Sequence, residues 1–127
     1  MIHLDSSVLI DALTGPRRSA PRLRRLIEEG ERILLTSMVV FEWCRGPRTP
    51  EELEDQEALF PTADSIAFGP AEALMASDSY RRVNRARGRE IDIAIAACAI
   101  VHGAELWTLN PRDFQDIPNL KVLPSES

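Results

Sequence analysis

Four carboxylates stand where a chain of alternating strands and helices would bring them together. Asp5 follows the apolar tripeptide Ile2-His3-Leu4, and Glu42 lies among Met38, Val39, Val40, Phe41 and Trp43. Asp92 is the only charge in the apolar run over residues 91–101, and Asp113 follows Leu106-Trp107-Thr108-Leu109 through Asn110-Pro111-Arg112. Converging carboxylates repel and raise one another's pKa values. A hard divalent cation such as Mg²⁺ relieves that conflict, because it prefers oxygen ligands and completes its octahedron with water and substrate phosphate. Such an ion acidifies a bound water and stabilises charge on a phosphoryl group, so an all-carboxylate site points to phosphodiester hydrolysis. His3, within a strand, and His102, at a helix end, have no visible partners and read as structural.

Taken singly, each acid has an ordinary reading. Asp92 suits a helix cap and the helix dipole, Asp5 a turn before Ser6-Ser7, and Asp113 a cap after Pro111. Glu42 fits neither a cap nor a solvated face, although its carboxylate could still reach the surface. The chemical reading rests on the four together.

The elements that must position them follow from hydrophobic periodicity and breakers. A strand at 2–4 is followed by a helix capped by Ser6 or Ser7 and running to about Leu13, where Thr14-Gly15-Pro16 stops it. Leu23, Leu26 and Ile27 recur at helical spacing over residues 20–29, opposite several arginines, with Gly30 as the stop. The run at 32–36 reads as a strand buried on both faces. Ser37 caps a helix over 38–44, and Thr49 with Glu52 has capping-box spacing for a helix starting at Glu51. A third strand is expected at 65–68, a long helix from Gly69-Pro70 to about Arg87, a break at Gly88, and a buried helix over 91–101. Strands at 106–109 and 120–123 complete the set, with a helical turn after Pro111. Strands alternating with helices give an α/β fold: a three-layer sandwich around a central, mainly parallel sheet of four to five strands. In such sheets ligands sit beyond the carboxyl ends of the strands.

The 127 residues suit one domain (1–127), and 44% hydrophobic with 28% charged residues is ordinary globular composition. No stretch approaches the roughly 20 apolar residues of a membrane span, and residues 1–5 do not resemble a signal peptide, so a cytoplasmic protein is expected. Cys44 and Cys98 lie in apolar runs, which predicts two buried, reduced thiols. A net charge of −5 argues against general coating of nucleic acid. It does not exclude RNA, because fourteen of the fifteen basic residues are Arg and nine of those cluster, at 17, 18, 22, 24, 25 and at 81, 82, 85, 89. Arg81, Arg82, Arg85 and Arg89 would fall near one helical face, a surface for RNA phosphates or for a protein partner, or simply a solvated face near a helix C-terminus. Arg17 to Arg25 could equally hold an acidic peptide. Trp43, Trp107, Phe41, Phe68 and Tyr80 read as core or interface residues.

Four segments, Ile2-His3-Leu4-Asp5-Ser6-Ser7-Val8-Leu9-Ile10, Ser37-Met38-Val39-Val40-Phe41-Glu42, Asp92-Ile93-Ala94-Ile95-Ala96-Ala97-Cys98-Ala99 and Thr108-Leu109-Asn110-Pro111-Arg112-Asp113-Phe114, together resemble the PIN domain. The closer resemblance is to the VapC-type toxins of toxin–antitoxin pairs, and it runs from Ile2 to about Val122. It implies a PIN fold with Asp5, Glu42, Asp92 and Asp113 around Mg²⁺ or Mn²⁺, and an endoribonuclease cutting RNA, often transfer or ribosomal RNA, to leave a 5′-phosphate. It further implies a homodimer, a cognate antitoxin inserted in the active-site groove, Thr108 and Asn110 positioning the acids, and Ser6 beside Asp5. The arginines at 81–89 are not required by the family in this form. Asp5 and Asp92 are assigned as principal metal ligands, Asp113 as a third, direct or through water, and Glu42 as ligand of a second ion or orienter of the water. A haloacid-dehalogenase-like phosphatase needs Asp-x-Asp and is set aside because position 7 is Ser7. A non-catalytic PIN-fold protein that binds RNA or a partner is the standing alternative.

Overall fold

Ile2, His3 and Leu4 form strand β1 (Ile2–Leu4), and all three are buried because β1 has a hydrogen-bonded neighbour on each side. The computed structural model describes residues 1–126. Along the chain follow α1 (Ser6–Leu13), α2 (Ala20–Glu28), β2 (Ile33–Leu34), α3 (Ser37–Arg45), α4 (Pro50–Leu59), α5 (Pro70–Arg82), α6 (Glu90–Val101), β3 (Glu105–Trp107) and β4 (Lys121–Val122), with 3₁₀ turns at Thr62–Asp64 and Pro111–Asp113. The strands form one parallel sheet in the order β2-β1-β3-β4, flanked by the helices in a three-layer α/β sandwich. Ile2 pairs with Ile33 on one side and with Glu105 on the other.

The buried apolar side chains make one cluster, with Leu4, Val8, Leu9, Val39, Trp43, Ile95 and Leu106 fully enclosed. Helix α6 is buried without a break from Ile93 to Cys98 and on through Ala99, as its nearly charge-free sequence demands. Its alanines allow close approach to α5 and β3. Among the described residues no helix is long and apolar enough to cross a membrane.

Several elements depart from expectation for identifiable reasons. The segment 65–68 is not a strand: only Ile66 pairs, in a parallel bridge to Thr36, because the chain turns into α3 at Ser37 and leaves little edge to pair with. The caps of α1 and α3 lie one residue earlier than read, at Asp5 and at Thr36, whose hydroxyl accepts from the Val39 amide. Helix α5 stops at Arg82 rather than near Arg87, because Val83 and Ala86 turn inward and are buried, with Arg85 at a φ of +54° between them. Cys44 is exposed, not buried, since α3 buries Val39, Val40 and Trp43 and turns positions 41, 44 and 45 outward; Phe41 is exposed with it, under the Arg45 guanidinium. Phe68 and Tyr80 are also exposed, whereas Trp107 is core. The capping box of Thr49 and Glu52 forms as expected. Cys98 is buried and free, and burial pushes its thiol up to about 11.

His3 is 0% exposed and neither ring nitrogen has a partner among the described residues. Its ring lies 5.3 Å from that of His102, whose Nε2 stands 3.5 Å from the Glu72 carboxylate on α5. Burial, then the neighbouring His102 and the N-terminus, lower the His3 pKa from 6.5 to about 4. A depressed histidine pKa favours the folded state fully above the unfolded value, and that contribution is lost as pH falls from 6.5 through 4. The contribution is at most about 3 kcal/mol at 1.36 kcal/mol per unit. A His3→Leu variant is expected to lose less stability between pH 6.5 and 4 than the parent, measured by urea melts at several pH values; equal losses would count against this origin of acid sensitivity.

Candidate active site

The strand order reverses between β1 and β3, because the chain leaves β1 toward β2 and leaves β3 toward β4. At such a switch point a crevice opens beyond the carboxyl ends of the strands. Asp5 emerges from β1 there and Thr108 from β3, and the Asp5 amide donates to the Trp107 carbonyl at 2.9 Å.

Asp5 holds the N-cap position of α1 with extended backbone, yet its side chain makes no capping hydrogen bond. The carboxylate, 4% exposed, is turned the other way. Its Oδ2 accepts from Ser7 Oγ at 2.8 Å and from Thr108 Oγ1 at 2.8 Å. Each hydroxyl is itself aimed by a backbone amide: Leu109 N donates to Ser7 at 3.1 Å and Asn110 N to Thr108 at 3.0 Å. Two strand ends thereby fix one carboxylate. Asn110 acts through its backbone, one step removed from the acid.

Ser6 serves a different acid from the one expected. Its hydroxyl donates to Glu42 Oε1 at 2.8 Å, while Arg45 approaches Oε2 at 3.4 Å. Glu42 is therefore partnered by a hydroxyl and a cation, which accommodates a charge on an otherwise apolar helix.

Asp92 is the third residue of α6, and the N-cap position belongs to Arg89, so the capping explanation for Asp92 does not hold. Its carboxylate has no hydrogen bond to any described residue and is only half-buried. Burial, followed by Asp5, Glu42 and Asp113 acting through space, raises its pKa from 3.8 to about 6, against an opposing effect of Arg89. Asp92 thus lies within the electrostatic reach of Asp5, Glu42 and Asp113. Asp113 ends the 3₁₀ turn Pro111–Asp113 on the surface, and its own carbonyl accepts from Arg89 at 2.8 Å.

Among the described residues no three Asp, Glu, His or Cys side chains are gathered tightly enough to enclose an ion by themselves. Asp92 therefore feels the other three acids from a distance. As a donor set they are all oxygen, with no thiol or imidazole, and their mutual repulsion calls for positive charge. That fits a Mg²⁺- or Mn²⁺-type ion, which keeps several waters and takes few protein ligands.

The arginine clusters are not open cationic faces throughout. Arg81 and Arg82 pair with Asp78 at 3.7 and 3.2 Å, Arg85 lies in the turn beyond the helix, and Arg89 points inward to Asp113 and Asp116, so the four share no helical face. In the first cluster Arg17 pairs with Asp55 at 3.4 Å, Arg22 donates to the Pro124 carbonyl at 2.7 Å, and Arg25 pairs with Glu126. Ser7 and Asp116 were absent from the sequence-based set. Ser7 was legible in principle, since a hydroxyl two residues after an Asp is placed for a local side-chain bond.

The sequence model of the PIN domain matches residues 2–120. Ribonuclease VapC19 of Mycobacterium tuberculosis is 34% identical over 125 residues, covering 93% of this chain and 95% of that protein. Among solved structures, a chain of FitAcB from Neisseria gonorrhoeae superposes with a TM-score of 0.75 at 21% identity, covering 98% of this chain and 97% of that one. A chain of VapBC2 from Rickettsia felis, bound to a DNA fragment from its promoter, does so with a TM-score of 0.74 at 18% identity, covering 99% of this chain and all of that one. At those identities the structures speak for the fold.

Proposed function

The chain belongs to the PIN-domain family, and on that premise we propose that it is a divalent-metal-dependent endoribonuclease, the toxin of a toxin–antitoxin pair. The observation that carries the reading is the placement of Asp5, fixed at the switch point by hydroxyls from Ser7 and Thr108, with Glu42, Asp92 and Asp113 converging on the same crevice so that, beyond burial, the other three acids raise the Asp92 pKa. Four segments distant in sequence bring these acids within reach of one another, and Asp92 among them has no hydrogen bond to a described residue, which suits a bound cation.

Asp5, Asp92 and Asp113 would hold Mg²⁺ or Mn²⁺, with Glu42 beside them for a second ion or the attacking water. The ion supplies charge stabilisation at the phosphate and acidifies a water. Ser7 and Thr108 keep Asp5 aimed, because each donates to its carboxylate. Ser6 holds Glu42 toward the same crevice. Asp92 must give up its proton for the ion to bind, so metal affinity falls below about pH 6.

In this reading residues 1–127 are one PIN domain acting in the cytoplasm on transfer or ribosomal RNA, paired as a homodimer and held inactive by a cognate antitoxin. The support for the partner is the likeness to chains of VapBC2 and FitAcB. The test is incubation of total cellular RNA with chelator-stripped protein, with and without Mn²⁺. Discrete Mn²⁺-dependent fragments carrying 5′-phosphates are expected. Absence of cleavage would move the protein to the non-catalytic binding class.

A further inference from the structure

Arg89 sits in the N-cap position of α6, where the positive end of the helix dipole disfavours a cation. Something other than helix stability must hold it there. Its guanidinium makes four hydrogen bonds: it donates to the two Asp116 oxygens at 2.6 and 2.9 Å, to the Asp113 carbonyl at 2.8 Å and to the Asn84 carbonyl at 3.1 Å. One planar fork thus ties together the turn at 83–89, the head of α6 and the turn that carries Asp113. The fork geometry suits Arg and not Lys.

Arg89 reaches Asp113 through that residue's carbonyl and Asp92 through the helix whose head it occupies. Asp113 lies on an exposed 3₁₀ turn, and its carboxylate has no hydrogen bond to a described residue. Asp92, three residues after Arg89, rides on a buried helix. Without a link, the exposed turn could drift relative to the fixed helix.

We propose that Arg89 is a positioning residue that sets the separation of Asp113 from Asp92 for a shared divalent ion, with Asp116 as its anchor and not as a further ligand. The role rests on the nuclease reading above and replaces an RNA-phosphate contact for Arg89.

The experiment compares the parent with Arg89→Met, Arg89→Lys and Asp116→Asn. Thermal melts across a Mn²⁺ titration give the half-saturating concentration, melts in chelator report folding, and total-RNA cleavage at varied RNA concentration separates kcat from KM. Arg89→Met and Asp116→Asn are each expected to need about tenfold more Mn²⁺, with kcat down about 10–100-fold and KM little changed, as for residues that orient metal ligands. Arg89→Lys is expected to recover part of the loss. Asp116→Asn carries the test if Arg89→Met does not fold, because it loosens the brace and leaves Arg89 in place. Parent-like Mn²⁺ titrations in both variants, or a raised KM with kcat intact, would overturn the role while the nuclease reading stands. A parent that neither cleaves nor responds to Mn²⁺ overturns both.

Discussion

Asp92→Asn is expected to melt higher than the parent in chelator at pH 7.5, while losing about 10²–10³-fold or more in RNA cleavage. The two effects share one cause. A carboxyl whose folded pKa of about 6 exceeds its unfolded 3.8 favours the folded state below 3.8, and that contribution is lost as pH rises through 6. Above pH 6 the ionised Asp92 is therefore a standing cost to the metal-free fold. Fully counted, two units are worth about 3 kcal/mol. Solvent screening at this half-buried site reduces that to about 1–2 kcal/mol, or roughly 5 °C for a domain of this size. Asn keeps the shape and removes the charge. The loss of activity is of the size seen when a preorganised electrostatic partner is removed. Added Mn²⁺ should raise the parent's Tm by linkage and leave the variant nearly unmoved, so the order of the two melts closes or inverts. Differential scanning fluorimetry in chelator and in Mn²⁺, beside the cleavage assay, reads all three. A variant that melts no higher than the parent without metal would mean the acids do not repel one another; one that still cleaves would remove Asp92 from the centre.

His3 and Asp92 pull in opposite directions over nearly the same window. Falling pH protonates Asp92 and relieves repulsion, while it forces a proton toward the buried His3. About 15 Å of α6, ten residues at 1.5 Å each, separates Asp92 from His102, so the two effects belong to different ends of one helix. The parent's acid response therefore contains these two opposing contributions, and the His3→Leu variant removes one of them.

The acids were legible because each is an exception to its local pattern: a charge after an apolar strand, or the sole charge of an apolar helix. Parallel topology follows from strands alternating with helices, which places Asp5 and Thr108 at one sheet edge before any coordinate is known. What the pattern could not carry was rotational and turn detail. Two adjacent serines have the same composition signal, yet the roughly 100° between successive helix positions sends Ser6 to Glu42 and Ser7 to Asp5. The end of α5 depended on Val83 and Ala86 finding core, a tertiary effect that overrides a helix-favouring run of arginines. Arg89 read as surface charge for the same reason, since its partner Asp116 lies 27 positions away.

Thr108→Val tests the brace on Asp5 and should move stability opposite to Asp92→Asn. Valine matches threonine in shape, but it withdraws the 2.8 Å donor from Asp5 Oδ2 and the acceptor of the Asn110 amide. Losing a hydrogen bond to a buried carboxylate costs about 1.5–3 kcal/mol. A fall in Tm of roughly 5–10 °C is expected for a domain of this size, with cleavage down about 10–100-fold because the acid is no longer aimed. Thr108→Ser restores the hydroxyl and should recover most of both. Ser7→Ala removes the second donor to the same oxygen, and since the two hydroxyls lie 3.4 Å apart on a shared acceptor, the double variant should cost less or more than the sum of the singles by a measurable coupling. Thr108→Val and Asp92→Asn thus both lose activity while their melts in chelator move apart. General unfolding would lower both Tm values, and a site that was only a set of caps would leave Asp92→Asn no more stable than the parent. Only a centre in which one acid is held by hydroxyls and another is held against repulsion gives a fall for the first variant and a rise for the second.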